Sequence, residues 1–594
     1  MLGGLLLVLL GFAAAAGAAD APGLSATIKA GFEGNYRNGE WFGVQVTLSN
    51  DSDDDRSGTL GLTAQGGLRA ASLDIALPGH SRKQVWLYAF NSDYSGNIQL
   101  ALRRGGSILL QRDVSLSFND NSSFIVAVVG GEGGALSSLS GMTLGNIATT
   151  QGSGSSRTTV AHIGLDELPP APAALDGLDA LVIVDGDTVR LSEAQRAAVR
   201  AWVVGGGDLV IAGGQAGASN AAGFADTLPV RVAAPQPLAD LSPLAMFAGS
   251  SEPITLTGQV VASGATLQPG ARLLAASPDG NPLLAQRNYG RGRVSYIAVD
   301  PNLGALRAWG GYTNLWQSLF AAHYSGPTFN ALNMNRYGFG ASLLPQLDLP
   351  DPVLLFIILL VYIAVVGPLN YLLLRQLGRR EFAWLTIPLI TLLFAAIFYA
   401  IGYQSKGGDV LISRSAVVFA SGQDDTALVA GTVGIFSPSR TSYSLSLSDT
   451  ALAGDAGYSS SSSFGNTSAN TSNLRLGAPN RLTDIAISNW QQREVAVQDN
   501  IKLPPQFSAQ ARLDGPTVKV TVKNLASQPY TDAVLYAPSE QQVSASFSLA
   551  AGESKEVALA KKYSGADQLV SDLSGGNGGR VYCCGSGGGV VYFP

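Results

Sequence analysis

Two long apolar segments constrain this chain more than any other feature of its sequence. They cover residues 353–374 and 382–403, and the seven residues between them, 375–381, include three arginines. A helix of about 20 apolar residues crosses the roughly 30 Å hydrocarbon core of a bilayer. A helix also satisfies its backbone polar groups internally, as lipid requires. The sequence therefore predicts two transmembrane helices joined by a short turn.

The arginines of this turn predict its side of the membrane. Arg375, Arg379 and Arg380 lie in a segment too short to form a domain. Short loops that are rich in Lys and Arg stay in the cytoplasm. Both long flanking regions are therefore expected on the extracytoplasmic side, with the chain held in the cell membrane.

The N-terminus favours the same orientation. Residues 1–19 contain an apolar run at 5–16, and small residues at 16–18 fit a cleavage site. No Lys or Arg precedes the run, which is unusual for a signal peptide. The alternative is an uncleaved N-terminal anchor, and either version exports the chain from about residue 20 onward.

The composition narrows the class of protein. A chain of 594 residues is long enough for three or four domains. Charged residues make up 13% of it, about half the usual share, and 71 residues are glycine. This composition favours turn-rich β structure outside the cytosol. The formal net charge of −6 gives no reason to expect nucleic acid as a partner.

Hydrophobic patterns divide the soluble regions into domains. Residues 20–120 alternate in short segments at roughly ten-residue spacing, which predicts a β-sandwich. Residues 121–330 combine continuous apolar runs with helical segments, which predicts buried parallel strands in an α/β domain. Residues 331–352 are expected to form a linker, residues 404–500 a β-rich extracytoplasmic segment, and residues 501–594 a C-terminal β-sandwich.

Four short stretches of the chain resemble known proteins. They are residues 178–185 (LDALVIVD), 205–211 (GGGDLVI), 362–371 (YIAVVGPLNY) and 379–388 (RREFAWLTIP). The last two resemble uncharacterised bacterial envelope membrane proteins, and the first two are similar to a class I glutamine amidotransferase-like (flavodoxin-like) α/β domain. The resemblance implies a signal peptide, a sandwich, this α/β domain, a helical hairpin and a β-rich tail, in that order.

The turn that would hold an amidotransferase nucleophile lacks the required residue. True glutamine amidotransferases use a cysteine after a central strand, activated by a histidine. The corresponding turn here is residues 212–217 (AGGQAG), and the first cysteine of the chain is Cys583. Glutamine hydrolysis by that mechanism is therefore not expected.

The predicted carboxyl ends of the parallel strands contain the candidate ligand site. Asp185 and Asp187 follow one strand, and Glu132 lies in a glycine-rich loop after another. Open α/β sheets bind ligands at this edge, so the three carboxylates are candidates for binding a cation or a polar ligand. The alternative is that the two aspartates cap the loop and the following helix. No cofactor and no metal site are predicted.

The two cysteines, Cys583 and Cys584, are neighbours in a glycine-rich tail. A vicinal disulfide in an oxidising compartment would be strained, and strained disulfides are the labile ones. The alternative is a pair of unpaired thiols.

Together these features predict a membrane-anchored extracytoplasmic scaffold, sensor or accessory subunit of an envelope complex. The expected partner is an envelope protein, and no catalysis is expected. Two alternatives remain open. One is a metal-dependent hydrolase of unknown substrate that uses Glu132, Asp185 and Asp187, and the other is an accessory subunit of a transporter, which would need companion membrane helices.

Overall fold

The structure is a computed structural model, and it shows a multidomain, strongly β-rich protein with mixed sheets and two long apolar helices. The predicted signal peptide 1–19 lies outside the described residues, as does nearly all of the linker. The described residues are 21–64, 69–90, 96–120, 122–130, 134–144, 157–256, 258, 260–321, 352–378, 380–406, 409–455, 472–514, 517–537, 542–544, 546–559 and 561–562.

The first region of the chain forms two β layers that share one strand. β5 pairs with β6 through its first residues and with β4 through the rest. Between the layers lies a core that includes Val44, Leu60 and Leu100, all fully buried, which supports the predicted sandwich. The strands are β1 (Leu24–Ala30), β2 (Asn35–Arg37), β3 (Trp41–Asn50), β4 (Arg56–Ala64), β5 (Arg69–Leu77), β6 (Ser81–Phe90), β7 (Asn97–Arg104), β8 (Ser107–Ser115) and β9 (Ser117–Asn119).

The second region contains a seven-stranded sheet in the order β11-β10-β12-β13-β18-β17-β16. The first five of these strands are parallel, and the last two pairings are antiparallel. The strands of this region are β10 (Phe124–Val129), β11 (Thr158–Ile163), β12 (Ala180–Ile183), β13 (Asp208–Ala212), β14 (Val230–Leu238), β15 (Val260–Leu267), β16 (Arg272–Ala276), β17 (Pro282–Tyr289) and β18 (Gly292–Ile297).

Helices cover both faces of this sheet, which explains the continuous apolar runs of its central strands. They are α1 (Glu193–Gly205), α2 (Gly217–Ala222), α3 (Ser242–Phe247), α4 (Gly304–Arg307) and α5 (Tyr312–Phe320). α1 begins with a capping box, because the Ser192 side chain accepts a hydrogen bond from the Gln195 amide. Gly206, at a φ of 131°, ends the helix.

A buried ion pair joins the first two regions. The Arg37 guanidinium lies 2.5 Å from a carboxylate oxygen of Asp179, which also accepts the Ile125 amide at 2.6 Å. Arg37 stands at the end of β2 and Asp179 just before β12. The sandwich is therefore attached to the α/β sheet by charge-assisted hydrogen bonds.

Two helical segments follow, and each is long and apolar enough to cross a membrane: Phe356–Gln376 and Arg380–Ala400. They are built from α6 (Pro352–Ala364), a π-helical turn at Val365–Leu369, α7 (Asn370–Gln376), a 3-10 turn at Arg380–Phe382 and α8 (Ala383–Lys406). We call these segments the helical pair.

A proline and one cross-contact shape the helical pair. Pro368 lies in the π-helical turn. Proline lacks the N–H that a regular α-helix would use at this position, which explains the local departure from α-helical geometry. Across the pair, the Tyr362 hydroxyl lies 3.3 Å from Thr391 Oγ1, and its ring packs edge-on against Phe394. These contacts hold the two helices side by side.

The strands after the helical pair join the regions before it. β19, β20, β25 and β22 form a sheet whose Phe419 and Leu428 share a core with Trp202 of α1. β23 pairs in parallel with β5, so the first sheet continues through β23, β24 and β21. The strands are β19 (Leu411–Ala420), β20 (Thr426–Ser437), β21 (Thr441–Ser446), β22 (Leu452–Asp455), β23 (Asn473–Leu476), β24 (Arg481–Ile487) and β25 (Gln491–Lys502).

The last described region contains small sheets around a core of its own. This core includes Phe507, Val522, Tyr530 and Leu549. We call this region the terminal module. Its strands are β26 (Phe507–Asp514), β27 (Thr517–Asn524), β28 (Tyr530–Ala533), β29 (Tyr536–Ala537), β30 (Gln542–Val543), β31 (Phe547–Leu549), β32 (Ser554–Leu559) and β33 (Lys561–Lys562).

Candidate functional site

The loops that the sequence predicts for a ligand site meet at the carboxyl edge of the parallel sheet. The Asp185 amide donates a hydrogen bond to the Val129 carbonyl at 3.3 Å. Gly130 has a φ of 77°, and a Cβ atom there would lie 2.0 Å from the Asp185 carbonyl oxygen. Only glycine allows this approach. The loops after β10 and β12 therefore touch at the point where the strand order reverses, which is where open α/β sheets bind ligands.

The two aspartates of this edge point to solvent. Asp185 and Asp187 are both exposed, and their carboxylates make no hydrogen bond or ion pair with any described residue. Asp187 stands before the 3-10 turn Thr188–Arg190, yet its side chain makes no capping bond. The cap of α1 comes instead from Ser192.

Several predicted residues lie outside the described part of the chain: Glu132, Arg379, Cys583 and Cys584. Among the described residues, no three His, Cys, Asp or Glu side chains are grouped closely enough to hold a metal ion.

Two of the predicted topology residues are described. Arg375 lies in the last turn of α7. The Arg380 guanidinium lies 5.8 Å from the ring centroid of Tyr371, on the other side of the turn. Both arginines are thus at the same end of the helical pair, as the sequence places them.

A buried amide occupies the sheet edge beside the aspartates. Asn220, in α2, is fully buried. Its Nδ2 donates to the carbonyls of Val184 and Ala212, both at 2.8 Å, and its Oδ1 accepts the Gly186 amide at 2.8 Å. Val184 directly follows β12, and Ala212 is the last residue of β13. Asn220 therefore satisfies backbone groups that a ligand at this edge would otherwise contact.

A threonine completes this closed network. The Thr188 hydroxyl donates to the Ser219 carbonyl at 3.0 Å and accepts the Gly223 amide at 2.8 Å. Satisfied buried networks of this kind make a loop rigid. No sequence motif marks Asn220 or Thr188, because neither residue belongs to a pattern with a characteristic spacing.

The interface between the α/β domain and the sheet of β19 to β25, which we call the seam, contains a carboxyl with a shifted pKa. Asp176 accepts a hydrogen bond from Gln498 Nε2 at 2.5 Å. Burial raises the pKa of Asp176 to about 7, against the opposing effects of that bond and of the Arg37 charge. Also in the seam, the Tyr289 hydroxyl donates to Asp424, and burial raises the pKa of Tyr289.

Comparison with known proteins finds a family model that matches one region of the chain. A family model described as Domain of unknown function (DUF8726) matches residues 23–117, the region of β1 to β8. No curated protein matches the chain.

Two solved structures that match the chain share little sequence or overall structure with it. An exo-β-1,4-mannosidase from Opitutaceae bacterium strain TAV5 is 18% identical over 28% of this chain, with a TM-score of 0.19, and the match spans 28% of that enzyme. A fragment of native α2-macroglobulin from Escherichia coli is 12% identical over 84% of this chain and 96% of the fragment, with a TM-score of 0.14. Scores this low carry no argument about fold or function.

Proposed function

We propose that the protein is a membrane-anchored extracytoplasmic scaffold that serves as an accessory subunit of an envelope complex, without catalysis. One observation carries this proposal: strands β19 to β25, which follow the helical pair, pack as one body with the regions that precede it. Leu474 of β23 pairs with Ala71 of β5, and Leu428 of β20 lies in the core with Trp202.

This packing supports the expected orientation in the membrane. Because the regions that flank the helical pair pack together, the first residue of the pair and its last residue lie on the same side of the membrane. Two spanning helices return a chain to its starting side. The arginines of the turn, Arg375, Arg379 and Arg380, then favour a cytoplasmic turn and an extracytoplasmic body.

The surface of the helical pair supports a membrane or helix-binding environment. Large apolar side chains such as Leu372, Leu389 and Leu392 are more than half exposed. Contiguous apolar surface is unfavourable in water and marks membrane or protein contact. We therefore place lipid, and the helices of a partner subunit, around this pair.

The α/β domain supports binding without turnover. Counted in chain order, its parallel strands stand 2-1-3-4-5, the order of flavodoxin-like folds. This order supports the proposed amidotransferase-like domain. The turn at 212–217 has no cysteine. Asn220 makes three hydrogen bonds to backbone groups of the adjacent loops, so these groups are already satisfied within the protein. We infer a degenerate domain that retains the fold and has lost the reaction.

A pull-down from native membranes tests the proposal. The tagged full-length protein is purified in a mild detergent, and mass spectrometry and metal analysis are performed on the same sample. An unrelated tagged membrane protein from the same cells is the control. We expect a stoichiometric envelope protein that is absent from the control.

Two results would contradict the proposal. A protein that purifies alone excludes the accessory-subunit role. A protein that purifies with a stoichiometric metal ion, lost in Asp185→Ala, instead supports a metal-dependent enzyme at the sheet edge.

A further inference from the structure

A cavity of 470 Å³ lies between the first β layers and the α/β domain. β6 contributes Gln84 and Trp86 to its lining, and the turn after β11 contributes Asp166. Arg190 lines it from the segment that leads into α1. The volume falls in the range of about 300–1,000 Å³ that small-ligand sites occupy, and domain interfaces are common places for such sites.

Hydrogen bonds fix the turn that forms one wall of the cavity. From the first sheet, Gln45 Nε2 donates to the Asp166 carbonyl at 2.6 Å. From α1, Gln195 Nε2 donates to the Leu168 carbonyl at 2.7 Å. Because the turn is held from both sides, the cavity is formed before any ligand arrives, which lowers the entropic cost of binding.

An indole ring gives the cavity an aromatic surface. Trp86 is half-buried and lies against Gly43. A Cβ atom at Gly43 would lie only 2.8 Å from Trp86 Cζ3. Gly43, near the start of β3, therefore leaves the space that this edge of the ring occupies, and Trp86 also lines the cavity.

Polar side chains from both domains line the cavity with the ring. Gln84, Asp166 and Arg190 are exposed and make no side-chain hydrogen bond with another described residue, and the Asp166 carboxylate attracts Lys29. Ser192 and Gln195, which also line the cavity, use their polar atoms in the capping box of α1. The cavity thus offers an amide, a carboxylate and a guanidinium to a ligand.

We propose that this cavity binds a neutral carbohydrate. The C–H face of a sugar ring packs on an indole, and its hydroxyl groups both donate to a carboxylate and accept from a guanidinium or an amide. The lining carries one carboxylate, Asp166, and one guanidinium, Arg190, so it has no formal net charge, which disfavours a phosphate or another multiply charged ligand. This inference goes beyond the scaffold role and does not depend on the side of the membrane that the cavity faces.

The experiment measures binding to purified full-length protein in a detergent without a sugar headgroup. The probes are the neutral oligosaccharides maltotriose, cellotriose and N,N′,N″-triacetylchitotriose, and their binding is measured by tryptophan fluorescence and saturation-transfer NMR. We expect at least one to bind, and Trp86→Ala and Arg190→Ala each to weaken binding about tenfold or more, equivalent to about 1.4 kcal/mol. Val189→Ala is the matched control, because Val189 is 60% exposed next to Arg190 and does not line the cavity.

A second variant separates loss of the site from loss of the fold. Trp86→Phe keeps an aromatic face and is expected to retain most of the binding. The proposal is overturned if no probe binds the wild-type protein, or if Trp86→Ala and Arg190→Ala bind as well as Val189→Ala. It is also overturned if inorganic phosphate or a short acidic peptide binds instead and Arg190→Ala abolishes that binding.

Discussion

The two β-rich regions that follow the helical pair both have strand-forming sequences, but they differ in their relation to the rest of the protein. Strands β19 to β25 build their cores together with the sandwich and the α/β domain, as Leu428 and Leu474 show. The terminal module encloses its own core around Val522 and Leu549. A strand-forming pattern can therefore build either a core shared with other domains or a separate core. Which of the two forms depends on the surface against which each strand packs.

This difference predicts how far a disturbance spreads. Truncation of a buried side chain in a shared core is expected to destabilise elements on both sides of the helical pair. The same change in the terminal module is expected to destabilise that module alone. Amide hydrogen exchange of the full-length protein in mild detergent resolves such regional changes in stability.

The largest effect is expected from Leu428→Ala. Leu428 is 5% exposed, and its side chain reaches α1 at Gly205. We expect a loss of about 3 kcal/mol, seen as faster exchange in α1 and β12 as well as in β20. The control is Ile412→Ala, because Ile412 in neighbouring β19 is 57% exposed. Faster exchange confined to β19 and β20 would contradict the shared core.

A smaller and local effect is expected from Leu549→Ala. Leu549 is 1% exposed in the small core of the terminal module. We expect a loss of about 2 kcal/mol, at the low end for a buried leucine. Exchange should rise in β26, β27 and β32 and remain unchanged in β19 to β25. A rise in β20 would show that the terminal module also belongs to the shared body.

A pH-dependent effect is expected from Asp176→Asn in the seam. The pKa of Asp176 is raised from an ordinary 3.8 to about 7, so the folded protein favours the protonated carboxyl. Its contribution to stability is present below pH 4 and is lost as the pH rises through 7. The asparagine side chain of the variant would keep the bond from Gln498 without titrating.

The measurement for this variant is exchange in α1 and β25 between pH 4 and pH 8, corrected for intrinsic rates. Relative to the wild-type protein, Asp176→Asn should gain of the order of 1–2 kcal/mol at pH 8, a value reduced for partial contact with solvent. An identical pH profile in the two proteins would exclude a titrating seam.

The smallest effect is expected at the surface of the terminal module. Arg512 and Glu556 form an ion pair at 3.0 Å, with 63% and 45% of their side chains exposed. Arg512→Ala should cost less than about 1 kcal/mol, and added salt should remove the difference. A cost that persists in high salt would show that packing of the arginine stem, rather than charge, is responsible.

The sequence predicted the features that depend on local periodicity. The two apolar helices lie within a few residues of their expected bounds. The loops of Gly130 and Asp185 meet as expected. Each of these depends on residues close in the chain or on a general rule for parallel sheets.

The sequence could not predict contacts between distant segments. Nothing in β23 identifies β5 as its partner, since the two strands are separated by the α/β domain and the helical pair. The cavity could not be predicted from the sequence either, because Trp86 and Arg190 come from different domains. Asn220 carries no motif, although its three hydrogen bonds define the sheet edge.

The central claim, one body on one side of the membrane, is tested most directly by labelling with a membrane-impermeant maleimide in spheroplasts. Single cysteines are introduced by Ser107→Cys before the helical pair, Ser442→Cys after it and Leu377→Cys in its turn, with Cys583 and Cys584 replaced by serine. All three positions are exposed. The account predicts labelling at 107 and 442 in intact spheroplasts, and at 377 only after permeabilisation. Labelling at only one of 107 and 442 would place the two regions on opposite sides and contradict it.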